Sequence, residues 1–313
     1  MKIPEMKNSS QLILILMVFS GLMGSETDTI YILHTNNTNG ELENCYCPDH
    51  PLGSLEKRAV FIEQFRKNHT NTLLVDAGDF WNVTSRLPQK DKLVSTAYSF
   101  MDYDAILLGD QELIRQNDIF PDALLNMKSD IIVSNLLNPR IPGTQMYKIV
   151  HFGDISVGIV GIVGPASFKY YPKEIREKID LKSPELVLGE LIPTLRETCD
   201  IILVLSHQGL DSDINLAKKG LDIDIIIGAH SQTVLDSITQ IGNTVIGQAG
   251  KDGYYVGVIK LIVDKSRSVL KSEAWLELMT LDMPDDPRVL KLIQEFETES
   301  GIVNRRKKEY IQR

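Results

Sequence analysis

The chain has 313 residues, of which 43% are hydrophobic and 24% are charged, and its formal net charge at pH 7 is −9. These fractions are ordinary for a globular protein that buries a large core. The acidic balance argues against nucleic acid or an anionic membrane surface as a partner. Three cysteines are too few for a disulfide-rich scaffold.

The N-terminal segment has the layout of a secretory signal. Two lysines precede the apolar run QLILILMVFSGLMG, and the small residues Gly24 and Ser25 end the segment. The apolar run is too short for a membrane span, which requires about 20 residues. We therefore expect residues 1–25 to be a signal peptide. The mature protein would be periplasmic or secreted, with no membrane attachment after cleavage.

Between residues 29 and 230, nearly continuous hydrophobic runs alternate with amphipathic stretches, which is typical of helices that cover buried sheets. The runs predicted as strands lie at 29–35, 71–79, 104–110, 130–135, 155–164, 199–207 and 223–230. The stretches predicted as helices lie at 52–68, 89–101, 119–128, 183–198 and 212–220.

After residue 244 the pattern changes, because three strand-like runs follow one another with turn residues between them and no helix. The runs at 244–250, 254–264 and 268–279 predict an antiparallel meander that closes a second sheet. A final helix is expected from about residue 288 to residue 312. The predicted organisation is a signal peptide at 1–25, one domain at 26–283 and a C-terminal helix within 284–313.

Polar side chains cluster at the ends of six predicted strands, and ligands of open α/β sheets bind beyond the carboxyl ends of the strands. These side chains are Asn37, Asn39, Asp76, Asp79, Asp110, Gln111, Glu112, Asn135, His207, His230 and Gln232. Any one of them is more often a turn former or a helix cap. Two histidines and several carboxylates that converge from separate strands would form an oxygen-and-imidazole site for Zn, Mn or Fe.

The motifs LHTNNTNG, DAGD, GDQE, LSHQG, GAHSQ and GQAGKDGYYVG follow one another along the chain. Their order and spacing resemble the metal-binding domain of 5'-nucleotidases, a branch of the calcineurin-like metallophosphoesterases, from residue 31 to about residue 281. The resemblance implies a four-layer α/β/β/α sandwich of two mixed sheets with outer helices. It also implies two divalent transition metal ions at the strand ends and hydrolysis of a small phosphorylated molecule.

The resemblance distributes the metal ligands over seven positions. Asp79 would bridge the two ions. The strong site would be completed by Asp110, His207 and His230, and the other site by Asn37, Asn39 and Gln232.

Several of these positions depart from the family's pattern. Asn37 replaces an aspartate and Asn39 replaces a histidine, and neutral amides are poorer ligands than a carboxylate or an imidazole. The catalytic histidine is Gln111, which cannot donate a proton as an acid, and the aspartate that orients that histidine is Ile114. We therefore expect one strongly bound ion, a second that is weak or absent, and no assignable catalytic residue.

Asp110 and Gln111 are the expected substrate-facing residues. Asp110 stands where the family has an asparagine. Its carboxylate would strengthen the remaining metal site but repel the phosphate oxygens. Gln111 could donate a hydrogen bond to phosphate.

Cys45 and Cys47 directly follow the altered first motif. In an extended segment their side chains would point in opposite directions, so a disulfide between them would be strained and reducible. The stretch resembles an exported subgroup with CxC followed by PLG, which makes the two thiols a redox candidate. A surface loop whose cysteines have no chemical role is the alternative.

Three functions stay open at this point. The chain is a phosphoesterase with weak or altered activity, a non-catalytic binding or scaffold homologue with an unidentified protein partner, or a thiol-redox protein that uses Cys45 and Cys47. Complete 5'-nucleotidases also have a second domain that holds the nucleobase. The segment after residue 283 is too short for it, so we expect no nucleotide specificity.

Overall fold

The computed structural model describes residues 27–82, 88–115, 120–304 and 307. The expected signal peptide at 1–25 lies outside these residues. Fifteen strands are formed by the described residues, with the bounds β1 Asp28–Thr35, β2 Thr72–Asp76, β3 Ala105–Ile106, β4 Asp130–Ile132, β5 Leu136–Asn138, β6 Thr144–Gln145, β7 Tyr147–Phe152, β8 Ile155–Val163, β9 Asp180–Leu181, β10 Ile201–His207, β11 Ile225–Gly228, β12 Thr239–Ile241, β13 Thr244–Gly247, β14 Tyr255–Val263 and β15 Val269–Leu278.

The helices within the same residues are α1 Leu55–Asn68, α2 Pro88–Tyr98, α3 Asp110–Leu113, α4 Phe120–Asn126, α5 Lys173–Arg176, α6 Pro184–Arg196, α7 Leu210–Ala217 and α8 Pro287–Ser300, with one 3₁₀ turn at Pro165–Phe168. No helix in the described part of the chain combines the length and the apolar character that crossing a bilayer requires.

Two large mixed sheets contain most of the strands. The first has the order β15-β14-β1-β2-β3-β4-β6 and the second has the order β12-β13-β11-β10-β8-β7, while β5 and β9 form a separate pair. The strands from β1 to β4 are parallel, and so are β8, β10, β11 and β13. The expected fold class, with two mixed sheets and outer helices, is confirmed.

Alternation along β10 shows how the layers pack. Ile201, Leu203 and Leu205 face the core shared with the first sheet. Their neighbours Ile202 and Val204 face the core formed with α6 and α7. Because successive side chains of a strand point to opposite faces, a continuously apolar strand serves two layers at once. Helices α1, α2 and α8 cover the first sheet from the other side.

Of the predicted three-strand meander after residue 244, the antiparallel pair of β14 and β15 is confirmed, but the placement of β13 beside them is wrong. Strand β13 pairs in parallel with β11 in the second sheet, whereas β14 pairs antiparallel with β1 and with β15 in the first sheet. The chain crosses between the sheets at residues 248–254. Gly250, Asp252 and Gly253 have φ angles of 69°, 54° and 70° there, the left-handed conformation that permits such a sharp change of direction.

Helix α8 ends before the expected end at residue 312, and residues 305–306 and 308–312 of the expected span lie outside the described part of the chain. It begins at Pro287, where the Asp286 carboxylate accepts the backbone N–H groups of Arg288 and Val289. It ends at Ser300, because Gly301 adopts a φ of 69° and stops the helical hydrogen-bonding pattern.

His34 is the one histidine of β1 and lies between the two sheets, against Gly247 of β13 and Gly257 of β14. Its side chain is buried, and its Nδ1 atom has no hydrogen-bond partner among the described residues. Burial lowers the pKa of this imidazole from 6.5 to about 3. The folded protein therefore holds His34 neutral where an unfolded chain would be protonated.

We expect His34 to make the protein acid-sensitive. Its depressed folded-state pKa gives stability that is present above pH 6.5 and is lost as the pH falls toward 3. The loss at pH 4 is on the order of 3 kcal/mol at most. The free energy of unfolding, measured in urea at pH 7 and pH 4, should change less with pH in His34→Leu than in the parent protein. In the exposed-histidine control His151→Ala it should change with pH as it does in the parent. If the free energy of unfolding changed equally with pH in the parent and in both variants, His34 would not be the source of the acid sensitivity.

Candidate metal centre

Two carboxylates and two imidazoles meet between the carboxyl ends of the two sheets. Asp79 follows strand β2, and Asp110 follows strand β3 at the start of α3; both strands belong to the first sheet. His207 is the last residue of β10, and His230 follows β11; both of these strands belong to the second sheet. One potential ligand atom from each residue lies within 4.8 Å of those of the others. The first three side chains are buried, and His230 is 28% exposed.

Hydrogen bonding orients the His207 ring as a metal ligand requires. Its Nδ1 atom lies 2.8 Å from the carbonyl oxygen of Ala77, to which it donates. Its Nε2 atom lies 2.9 Å from Asp110 Oδ1 and 3.3 Å from Asp79 Oδ2. Burial disfavours the imidazolium, but these two carboxylates raise the pKa of His207 well above its ordinary value. A carbonyl that fixes one ring nitrogen while the other faces carboxylates is the usual arrangement around a bound metal.

Asp110 links both histidines. Its Oδ1 atom lies 3.0 Å from His230 Nδ1, and its Oδ2 atom accepts a 2.7 Å hydrogen bond from the hydroxyl of Tyr171. Burial opposes ionisation of Asp110, but the hydrogen bonds of His207 and His230 outweigh it, so the pKa of this carboxyl group is far below its ordinary value. Sequence reasoning did not place Tyr171 at this centre, because no spacing in the sequence links it to Asp110.

Five residues of this region have left-handed backbone conformations. Their φ angles are 48° for Asn37, 54° for Asn39, 60° for Asp79, 70° for His230 and 55° for Gln232. Asn and Asp tolerate this conformation better than other non-glycine residues, but each instance carries a cost and such residues concentrate at functional sites. Backbone conformations of this kind mark the region as a candidate functional site.

The loop after β3 approaches the loop after β2 too closely for any side chain at Gly109. A Cβ atom there would lie 2.2 Å from Asp79 Oδ1 and 2.7 Å from His207 Cε1. Glu112 fastens the two loops together, since its carboxylate accepts the backbone N–H groups of Asp79, Trp81 and Gly109 at 2.8 to 2.9 Å. Glu112 therefore positions the loops and is not among the converging ligands.

Two other strand-end residues also have structural roles. Asp76 is buried and accepts hydrogen bonds from Tyr98 and from the backbone of Gly78. Asn135 bonds the backbone of Val163 through both its amide nitrogen and its amide oxygen. Both side chains satisfy backbone or hydroxyl groups inside the fold, as most polar strand-end residues do.

Amide groups donate to the same Asp79 oxygen that faces His207. Asn37 Nδ2 donates to Asp79 Oδ2 at 3.2 Å, and Gln111 Nε2 donates to the same oxygen at 3.1 Å. The backbone N–H of Gln111 donates to Asp79 Oδ1 at 3.1 Å, and Asn39 Oδ1 accepts from Gln111 Nε2 at 3.0 Å. Asn36, which the sequence did not single out, holds Asn37 by donating to its Oδ1 atom at 2.9 Å.

Gln232 and Ile114 stand apart from these contacts. Gln232 is exposed, and its side chain makes no hydrogen bond within the described part of the chain. Ile114 is half-buried and packs against the hydrophobic core. The structure therefore brings Asn37, Asn39 and Gln111 to Asp79, and the role of Gln232 as a metal ligand stays a prediction.

Cys45 and Cys47 do not point in opposite directions as an extended segment would require. Tyr46 between them has a φ of 47°, which folds the backbone N–H of Cys47 to within 3.2 Å of Cys45 Sγ. Both thiols line one cavity beside the centre. Asp252 lies on the same cavity and accepts a 2.8 Å hydrogen bond from Asn39, so one side chain separates the thiols' cavity from the amides around Asp79.

The donor set fits a divalent transition metal. Two carboxylate oxygens and two imidazole nitrogens are ligands that Zn, Mn and Fe accept, and the spacing of their atoms suits a single ion. The carbonyl of Ala77 and the hydroxyl of Tyr171 supply the outer hydrogen bonds that orient such ligands.

Comparison with known proteins agrees with this geometry. A scan against models of protein families finds no match. The snake venom 5'-nucleotidase of Naja atra is 26% identical over 304 residues, which cover 82% of this chain and 55% of that protein. The chain thus spans about half the length of the curated relatives it matches.

Solved structures show the same fold. A 5'-nucleotidase precursor from Thermus thermophilus superposes with a TM-score of 0.77 at 22% identity, covering 88% of this chain and 59% of that one. A calcineurin-like phosphoesterase from Bacillus subtilis gives a TM-score of 0.69 at 21% identity, covering 92% of this chain and 100% of that one. The sequence similarity, the fold and the Asp/His centre agree, and the chain is a distant homologue of the metallophosphoesterase domain of 5'-nucleotidases.

Proposed function

We propose that this protein is a 5'-nucleotidase-like metallophosphoesterase domain that holds one divalent transition metal strongly and hydrolyses phosphoesters weakly. The convergence of Asp79, Asp110, His207 and His230 within 4.8 Å carries the proposal. A metal ion bound there would polarise a phosphoryl oxygen and lower the pKa of a bound water. Asp79 and Asp110 supply the negative charge that holds the ion, and His207 is oriented for it by Ala77.

A single strong ion is favoured by the contacts of Asp79. Two-metal hydrolysis needs a second cation about 3.5 to 4 Å from the first. In this protein the amide N–H groups of Asn37 and Gln111 already donate to Asp79 Oδ2, at 3.2 and 3.1 Å. These neutral amides already satisfy the Asp79 oxygen that a second cation would share with the first. A second ion would therefore gain little binding free energy there.

Weak rather than ordinary hydrolysis is favoured by the groups that face a substrate. Gln111 is buried, and its Oε1 atom has no hydrogen-bond partner among the described residues. An unpartnered amide oxygen can accept a hydrogen bond from water or a hydroxyl group, but it cannot protonate a leaving group. The Asp110 carboxylate adds charge that repels a phosphate.

The test is hydrolysis of bis(p-nitrophenyl) phosphate, a substrate that needs little acid assistance, and of AMP by the purified protein with Mn²⁺. Manganese is chosen because it prefers oxygen and imidazole ligands to thiolates. We expect about one bound Mn²⁺ and slow, Mn²⁺-dependent turnover well below the range of roughly 1 to 10³ per second of ordinary enzymes. Turnover within that range, or about two Mn²⁺ ions, would refute the single-ion proposal.

A non-catalytic binding homologue is the second candidate, and the loss of an acid at Gln111 favours it specifically. In that case the metal-loaded protein would bind inorganic phosphate or AMP in isothermal titration calorimetry and release no product over many hours. Metal-dependent release that disappears in His207→Ala would exclude this candidate.

We propose that the protein is also exported, because the N-terminal lysines, the apolar run and the small residues near Ser25 have the order found in a secretory signal peptide. Expression of the full chain in a bacterial host should yield a periplasmic protein whose intact mass lacks about the first 25 residues. Retention of Met1 in the purified protein would contradict cleavage.

A further inference from the structure

The phenol of Tyr171 joins the loop after β8 to the metal centre. Tyr171 follows the 3₁₀ turn Pro165–Phe168, which comes directly after β8 of the second sheet. Its hydroxyl donates to Asp110 Oδ2 at 2.7 Å, although Asp110 follows β3 of the first sheet. Tyr171 therefore links the two sheets at the centre without belonging to the four converging ligands.

The loop that carries Tyr171 is tied to the backbone of His207. The backbone N–H of Gly164 and the hydroxyl of Ser167 both donate to the carbonyl oxygen of His207, at 3.0 and 2.9 Å. The backbone N–H of Tyr171 donates to the carbonyl of Phe168 at 3.0 Å. The ring of Phe168 is buried and lies 6.2 Å from the Tyr171 ring. A loop held at these points fixes where the phenol can reach.

The two carboxylate oxygens of Asp110 face different partners. Oδ1 lies 2.9 Å from His207 Nε2 and 3.0 Å from His230 Nδ1. Oδ2 accepts the hydrogen bond of Tyr171 instead. Because an ionised carboxylate can only accept, the phenol is the donor in this pair. The carboxylate is thus oriented with one oxygen toward both imidazoles and the other toward the phenol.

His230 and Tyr171 lie on the side from which a substrate can approach the centre. His230 is 28% exposed and Tyr171 is half-buried, whereas Asp79, Asp110 and His207 are buried. An anionic substrate would therefore pass Asp110 on the side where the phenol covers Oδ2. Hydrogen bonds to a charged oxygen are stronger than neutral ones and stabilise its charge, and repulsion between like charges is large in a partly buried site.

We propose that Tyr171 is a positioning residue that fixes Asp110 with Oδ1 toward the metal ion and shields the charge of Oδ2 from an anionic substrate. The inference rests on the proposed function, because it requires an ion at the centre and a phosphorylated substrate. Without the phenol, Oδ2 would be free to turn toward the ion or to face the phosphate, and either change weakens anion binding. Tyr171 does not replace the missing acid, since its proton is directed at Asp110.

The test is a double-mutant cycle with Tyr171→Phe and Asp110→Asn. Inorganic phosphate is titrated by isothermal titration calorimetry into full-length protein saturated with Mn²⁺. We expect Tyr171→Phe to weaken phosphate binding about 10-fold, the effect of losing a hydrogen bond to a charged group. In the Asp110→Asn background the same substitution should change phosphate affinity by less than about 2-fold, because no charge is left to shield.

Two further measurements follow the positioning of Asp110. Tyr171→Phe should lower the affinity for Mn²⁺ about 10-fold, as loss of a partner of a metal ligand does. It should raise KM for bis(p-nitrophenyl) phosphate about as much as it weakens phosphate binding, with little change in kcat. Tyr147→Phe, at an exposed position of β7, is the matched control and should leave all three quantities unchanged.

The outcomes separate this inference from the proposed function. Equal losses of phosphate affinity in both backgrounds would mean that Tyr171 acts only on the fold, and would overturn the shielding role. Parent-like affinities for phosphate and Mn²⁺ in Tyr171→Phe would overturn it as well. The expected pattern of phosphate binding in a protein that releases no product would uphold the inference and refute hydrolysis alone. A parent that takes up no Mn²⁺ would refute the metal centre and this inference together.

Discussion

Replacing His207 with alanine is expected to lower the affinity of the centre for Mn²⁺ by at least about 100-fold, because altering only the outer partners of metal ligands already costs about 10- to 100-fold. The imidazole is fully buried, and its Nε2 atom lies 2.9 Å from Asp110 and 3.3 Å from Asp79. Without it the ion loses a nitrogen ligand and the two carboxylates face a void. Isothermal titration calorimetry with Mn²⁺ and metal content by mass spectrometry would measure the loss.

The same substitution also removes the imidazole that pairs with two buried carboxylates, and breaking a buried pair costs about 3 to 5 kcal/mol in comparable cases, so folding must be checked by circular dichroism. His230→Ala removes a ligand that is 28% exposed and endangers the fold less. His151→Ala, at an exposed position of β7, is the matched control. If folded His207→Ala and His230→Ala both bound Mn²⁺ as the parent does, the centre would not be the metal site.

Introducing the residues that the family resemblance implies for these positions is expected to give the largest gain in activity. The variant combines Asn37→Asp, Asn39→His, Asp110→Asn and Gln111→His. It should bind a second Mn²⁺ and hydrolyse a phosphodiester about 10²- to 10⁴-fold faster, the range that a positioned acid or base supplies. The physical reason is that an anionic oxygen and an imidazole would replace two of the amides around Asp79, so a second cation would gain charge and ligands there.

Two further variants test the second metal site and the orientation of the new imidazole separately. Asn37→Asp alone places a second carboxylate where Nδ2 now donates to Asp79 at 3.2 Å. It should therefore lower the melting temperature in EDTA and recover it with Mn²⁺. Adding Ile114→Asp to the combined variant is expected to raise the rate further, by orienting the new imidazole, since contacting residues rarely act additively. A combined variant that takes up two ions and stays inert would contradict the lost-acid explanation and indicate an obstructed approach for the substrate.

Continuous apolar runs such as 201–205 and 225–227 predicted buried strands correctly, because a strand covered on both faces cannot be polar at either. Polar residues directly after these runs predicted the edge of the sheets at which a ligand binds. The edge strand β7 and the short strands near it were missed, since their side chains are mostly exposed or half-buried and carry no continuous apolar pattern.

The sequence by itself determined the layers of the fold and the residues available as metal ligands, and the family resemblance supplied the expectation that Asn37, Asn39 and Gln111 depart from the related enzymes. Only the tertiary structure decided which of them meet, because Asp79 and Asp110 come from one sheet and His207 and His230 from the other, and no local pattern records how two sheets face each other. The structure also decided the placement of the thiols. A single left-handed residue, Tyr46, turned both toward one cavity, and backbone conformations of that kind at a non-glycine residue have no reliable signal in sequence.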